Sequence, residues 1–169
     1  FQLVKNEQET FPSTTDKNGY EFLRELCSFK ADFNAFTKNN NPITNRVTYI
    51  THQLEKFNIH FEIDKFQPIE GTPDFIEGLP AEVNIVVRIE GKSTETTTVF
   101  TAHHDVANMN SENCADNTAS VANLLDLCVR LSKNQPANNV VICFNDSEER
   151  VSTIASGAAR LAQKIRNKY

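Results

Sequence analysis

Three short clusters in this sequence combine residue types that bind cations and move protons. The first is Ala102-His103-His104-Asp105. If these residues close a β-strand, residues two apart project to the same side, so Asp105 lies alongside His103 while His104 points away. A carboxylate beside an imidazole fixes the ring's tautomer and aims its other nitrogen at a metal. The second cluster is Asp116-Asn117-Thr118-Ala119-Ser120, directly ahead of an apolar run. Alone, Asp116 reads most simply as a helix N-cap whose oxygen accepts a backbone N–H. The third is Asp146-Ser147-Glu148-Glu149, which follows the apolar residues 140–144. Adjacent carboxylates at the end of a buried strand repel one another unless a cation or proton intervenes, a solvated turn being the simpler alternative. With a cation present, one Glu binds it while its neighbour takes a proton from an activated water as general base.

Particular elements must position these clusters. Phe22, Leu26, Phe29, Phe33 and Phe36 recur at the three-and-four spacing of an amphipathic helix. After the break Asn39-Asn40-Asn41-Pro42, the residues Ile43, Val47, Ile50, Leu54 and Phe57 repeat that spacing, with Pro42 suited to the first turn. The period then drops to two: Ile59, Phe61 and Ile63 alternate with His60, Glu62 and Asp64, which predicts an outer strand with one wet face. A loop over 68–80 leads to Val83, Ile85, Val87 and Ile89, then a polar turn through Gly91, then residues 99–102. That pattern predicts a hairpin ending in the sheet interior. Val121, Leu124, Leu125, Cys128 and Leu131 mark a helix, residues 140–144 a buried strand, and Ile154, Ala158, Leu161 and Ile165 a last helix. The order predicts an α/β fold with a mixed central β-sheet flanked by helices, its strand-end loops free for chemistry.

Taken jointly, strand-His103-x-Asp105, then Asp116 to Ser120 opening a helix, then strand-Glu148-Glu149 resemble the M28 family of zinc aminopeptidases, over about residues 81–165. The resemblance implies a zinc-exopeptidase fold of the phosphorylase/hydrolase-like type, two Zn2+ ions, and hydrolysis at the N-terminal bond of a peptide substrate. Carried over residue by residue, it makes His103 a ligand of one zinc and Asp105 its supporting partner. Asp116 becomes the carboxylate bridging both metals, Glu148 the general base, and Glu149 a ligand of the other zinc. M20 peptidases and deacylases also use His-x-Asp and Glu-Glu, but here the Asp116 run flows into a helix without a Gly-rich approach. Two departures stand out. Arg150-Val151-Ser152-Thr153 replaces the Gly-containing turn that normally follows Glu-Glu, and neither Asp nor His occurs after Glu149, where the family supplies one of each. The expectation is therefore a metallo-aminopeptidase fold incomplete at its C-terminus. Each zinc would have two protein ligands where a catalytic zinc usually keeps three, so this chain alone is expected to bind metal weakly and turn over poorly. The alternatives are a peptidase-like domain that has lost catalysis and serves as a binding module, an M20-type peptidase or deacylase, or a single-zinc site as in glutaminyl cyclases.

Composition narrows the rest. The 169 residues carry a net charge of -5 with Lys and Arg scattered, so no basic stripe recruits nucleic acid. No apolar run reaches the length that crosses a bilayer, and the N-terminus lacks a signal-peptide layout, which predicts a soluble chain with no membrane partner. Phe1 stands where Met would open a complete chain, as expected if a leader had been removed. The length suits a single peptidase-like domain, 1–169, with N-terminal helices within 19–57 and a metal-site core at 81–169. Cys27, Cys114, Cys128 and Cys143 form no C-x-x-C pair, so a reduced chain without disulfides is expected. His52 and His60 read as exposed residues without roles.

Overall fold

Residues 140–144 are apolar without interruption, and a strand of that kind is stable only where both faces are covered and both edges paired. The computed structural model, which describes residues 17–28, 46–67, 81–105, 114–149 and 156–166, gives it that place. Strand β4 (Asn138–Asn145) pairs antiparallel with β2 (Glu82–Ile89) and parallel with β3 (Ser93–His103). Strand β1 (Phe61–Phe66) adds antiparallel to β2, giving the order β1-β2-β4-β3. Val140 to Phe144 are all buried.

Helices cover both faces. On one side α1 (Lys17–Ser28), α2 (Arg46–Lys56) and α3 (Ala119–Lys133) bring Phe22, Leu26, Ile50, Leu54, Val121 and Leu125 onto Ile85, Val87, Ile142 and Phe144. On the other, Leu161 and Ile165 of α4 (Gly157–Arg166) pack on Val86, Val141 and Cys143. The α/β class and the mixed, helix-flanked sheet read from the sequence hold. Phe29, Phe33, Phe36, Ile43, the 68–80 loop, Arg150-Val151-Ser152-Thr153 and Ile154 lie outside the described residues. Among those described, no helix is long and apolar enough to cross a membrane.

Three expectations need correction. The β2 and β3 strands do not form a hairpin, because β4 inserts between them and leaves β3 at the edge. Composition explains the exchange. The Thr-rich β3 tolerates exposure, with Val99 and Phe100 about 40% and 39% exposed, whereas the wholly apolar β4 does not. Gly91 makes the detour possible, since a Cβ there would lie 2.6 Å from the Cα of Asn138. Strand β1 is an outer strand, but its inward face is mixed. Ile63 is exposed and Asp64 is buried, because Lys164 and Arg160 of α4 reach its carboxylate at 2.8 and 3.4 Å. Finally, Cys27 and Cys114 pair as a disulfide across 87 residues, with their Cα atoms 6.1 Å apart. The folded proximity of α1 to the segment before α3 makes that bond, and no local spacing announces it. Cys128 and Cys143 are free and buried, as expected, and burial pushes both thiols up to about 12.

Candidate metal centre

Parallel pairing puts His103 opposite Asn145, so the clusters that follow β3 and β4 leave the sheet at the same end. This is where parallel strands present their loops for chemistry. At the exit of β3 the two imidazoles part. The Nε2–H of His104 donates to the Val83 carbonyl at 2.8 Å and its backbone N–H to Asn145 at 2.9 Å, so this histidine fastens β2, β3 and β4 together. His103 turns the other way. Its Nδ1–H donates to the backbone carbonyl of Asp105 at 3.1 Å and lies 3.5 Å from that residue's Oδ1.

Asp105 binds more than His103. Its Oδ1 accepts the backbone N–H of Glu148 at 3.2 Å and its Oδ2 that of Glu149 at 3.0 Å. One carboxylate therefore ties the β3 exit to the β4 exit. Asp146 belongs to the same acidic run in sequence but not in space. It is buried, with Oδ2 accepting Val83 N at 2.9 Å and Oδ1 accepting Ser147 N at 2.8 Å, while Asn84 Oδ1 accepts Asp146 N at 3.1 Å. The left-handed Ser147, at φ 60, then bends the chain so that Glu148 and Glu149 come back toward His103.

Asp116 does not cap α3. The N-cap is Thr118, which makes no side-chain capping bond, and Asp116 has extended dihedrals (φ -125, ψ 92) followed by a cis peptide to Asn117. Its side chain is 75% exposed, and Oδ1 lies 3.1 Å from His103 Nε2. Glu148 Oε2 lies 4.0 Å from the same nitrogen. Ligand atoms of His103, Glu148 and Glu149 fall within 4.8 Å of one another. The five residues singled out in the sequence thus come together at one end of the sheet, with Asp105 behind, His103, Glu148 and Glu149 grouped, and Asp116 reaching His103.

The electrostatics call for a cation. With Nδ1 donating to a carbonyl, Nε2 of neutral His103 would aim a lone pair at the Asp116 carboxylate. Burial opposes the charged imidazole, but Asp105 and Asp116 outweigh it and raise the His103 pKa to about 9. Desolvation and the charges of Asp116 and Glu148 push the Glu149 carboxyl upward. Burial also works against the Asp105 charge, yet His103 and the two N–H groups hold its pKa below the usual value. One imidazole nitrogen and three carboxylates, short of positive charge, fit a divalent metal that accepts nitrogen and oxygen.

The raised pKa has a measurable sign. In the metal-free chain the charged His103 contributes stability that is fully present below its unfolded value near 6.5 and is lost as pH rises through about 9. The ceiling on that contribution is on the order of 3 kcal/mol. Thermal unfolding in chelator should find wild type more stable than His103→Gln at pH 6, with the gap closing by pH 10. A gap independent of pH would remove the charge from the account.

Two features of this end carried no sequence signal. Arg46, at the start of α2, is buried, and its Nη2 donates to Thr118 Oγ1 at 2.7 Å. The Cys27–Cys114 bond sits two residues before Asp116.

A family model for peptidase family M28 matches residues 84–169. No curated protein matches the chain by sequence. Solved structures do match in fold. A glutaminyl cyclase from an Acidobacteriales bacterium superposes with TM-score 0.70 at 20% identity, over 99% of this chain and 58% of that one. A protein assigned as a Zn-dependent exopeptidase from Bacteroides vulgatus gives 0.62 at 21%, over 86% and 52%. A leucine aminopeptidase precursor from Bacteroides thetaiotaomicron gives 0.61 at 20%, over 80% and 48%. At such identities the likeness is one of fold. The chain spans about half the length of these structures.

Proposed function

The chain belongs to peptidase family M28, and we propose that it supplies the metal-binding and proton-handling part of a zinc aminopeptidase site. The observation that carries the reading is the grouping of His103, Glu148 and Glu149, with Asp116 against His103 and Asp105 holding the turn from behind. In this reading His103, Asp116 and Glu149 would hold zinc. Bound zinc would lower the pKa of a water to about 7, far below that of free water, and polarise a peptide carbonyl.

The chain's own residues do the rest. Asp105 fixes the His103 ring with Nε2 facing the site, and fixes the turn that offers both glutamates. Glu148 is half exposed, which leaves its carboxylate free to take a proton from the attacking water and return it to the leaving amine. The substrate in this reading is a peptide. The helices α1 and α2 belong to the same unit, since they pack on the core cluster that also holds β2, β4 and α3; we therefore read the chain as one peptidase-like domain.

A second reading rests on how compact the group is. Ligand atoms of His103, Glu148 and Glu149 within 4.8 Å suit one ion as well as two, and a single zinc would serve glutaminyl cyclisation on the same fold. Zinc analysis of the purified protein, paired with aminoacyl-nitroanilide and glutaminyl-peptide assays, separates the two. Wild type and His104→Ala should take up zinc supplied at micromolar concentration, and His103→Ala should take up less. No zinc taken up at micromolar concentration would sink both readings. Equal loss from the two histidine variants would reject His103 as the ligand.

A further inference from the structure

Asp116 is more exposed than His103, Asp105 or Glu148, yet it must hold one position to serve a metal. Nothing in its own backbone helps, because it lies in an irregular turn and not in a helix. The support comes from two residues on either side. Cys114, two before it, is bonded to Cys27 of α1. Thr118, two after it, is wholly buried and accepts a hydrogen bond from the buried Arg46 of α2. The two helices are themselves joined, since Tyr49 Oη of α2 donates to Glu25 Oε2 of α1 at 2.7 Å.

We infer that α1 and α2 act as a frame that holds the 114–118 segment at both ends, with Arg46 as the positioning residue that sets where the Asp116 carboxylate stands. The inference rests on Asp116 being a metal ligand. Arg46 suits the task for three reasons. Its planar guanidinium gives directed donors, and a short bond to a buried hydroxyl has one geometry. It is a buried cation near Asp105, whose charge counters the cost of its burial, so it also offsets part of the negative charge behind the site. And it is anchored in the first turn of a helix that buries Tyr49, Ile50 and Leu54, which cannot shift without disturbing the core. A carboxylate presented by a segment fixed through its neighbours should bind metal with an affinity that follows the quality of those fixings. Supporting partners of this kind typically change metal affinity by about 10- to 100-fold.

The test is zinc affinity by chelator competition, together with the visible spectrum of the cobalt-loaded protein. Arg46→Met should weaken zinc binding about 10- to 100-fold and shift the cobalt spectrum in the direction that Asp116→Asn shifts it. Arg46→Lys, which keeps the charge and one donor, should recover part of the loss. If Arg46→Met does not fold, Thr118→Val removes the same bond from the other side and should give the same two changes. Thiol counting after denaturation should find Cys128 and Cys143 free and the other two paired, and Cys27→Ser with Cys114→Ser should weaken zinc further when combined with Arg46→Met. A merely structural Arg46 would lower the melting temperature and leave affinity and spectrum as in wild type, which overturns the inference. Four free thiols would remove the covalent half of the frame. If Asp116→Asn itself leaves zinc affinity unchanged, the ligand assignment has failed; if it weakens zinc while Arg46→Met and Thr118→Val do not, only the frame has.

Discussion

Replacing Glu148 by Gln should lower kcat for aminoacyl-nitroanilide hydrolysis by about 100- to 10,000-fold while leaving the protein's zinc content unchanged. The substitution is nearly isosteric, so the turn that Asp105 holds through the backbone N–H groups of Glu148 and Glu149 survives it. What changes is basicity. A glutamine amide cannot take the proton of the attacking water, nor return one to the leaving amine. Because Glu148 is half exposed and its Oε2 stands 4.0 Å from His103 Nε2, its side chain is within reach of the site without being locked in it. KM should move little, since the proton transfer belongs to the transition state. Loss of zinc together with activity would mean that Glu148 is a ligand, as the compact grouping with His103 and Glu149 allows, and Glu149 would then be the residue to test as base. Retained activity would remove Glu148 from the chemistry.

What could be read from the residues alone, and what could not, follows from the range of the forces involved. The side on which His103 faces comes from alternation in a strand, a property of three consecutive residues. The central place of β4 comes from five apolar residues in a row, which no exposed position would accept. By contrast, the partner of β2 depends on which strand can bear an edge, and local pattern favoured the hairpin because β2 and β3 are consecutive. Asp64 alternates correctly with Ile63, yet Lys164 and Arg160, about a hundred residues on, draw the carboxylate inward. Asp146 and Glu148 look alike in sequence; one is consumed by the N–H groups of Val83 and Ser147 and the other is left to solvent. Arg46 gave no sign at all, because an arginine in an amphipathic helix is ordinarily exposed, and only the fold sets Thr118, 72 residues later, against it. The grouping of the site residues was legible because metal and proton work, the chemistry proposed for them, demands particular residue types. Its supports were not, because buried partners of many types would serve.

Asp105→Asn should disturb more of the site at once than a substitution at any single ligand that leaves the turn intact. Three groups depend on this carboxylate: the His103 ring and the backbone N–H groups of Glu148 and Glu149. A carboxylate accepts at both oxygens, whereas an amide accepts at one and donates at the other. Whichever way the substituted amide turns, a donor meets a donor, and one backbone N–H at the glutamate turn loses its partner. The cost in the metal-free chain should be about 2 kcal/mol for the unsatisfied group and the lost charge-assisted bond. Zinc affinity should fall by about 10- to 100-fold, because the imidazole and Glu149 are then no longer held toward the same point. Acid supplies the check on sign. Asp105 has its pKa depressed in the fold, so its contribution is present above its unfolded value near 3.8 and is lost as pH falls through the folded one. The stability gap between wild type and Asp105→Asn, measured by urea unfolding in chelator, should be full at pH 7 and shrink as the solution is acidified below pH 4. A variant that binds zinc as wild type does would show that His103 and the glutamates hold their places without Asp105, and the site would have to be rebuilt around another support.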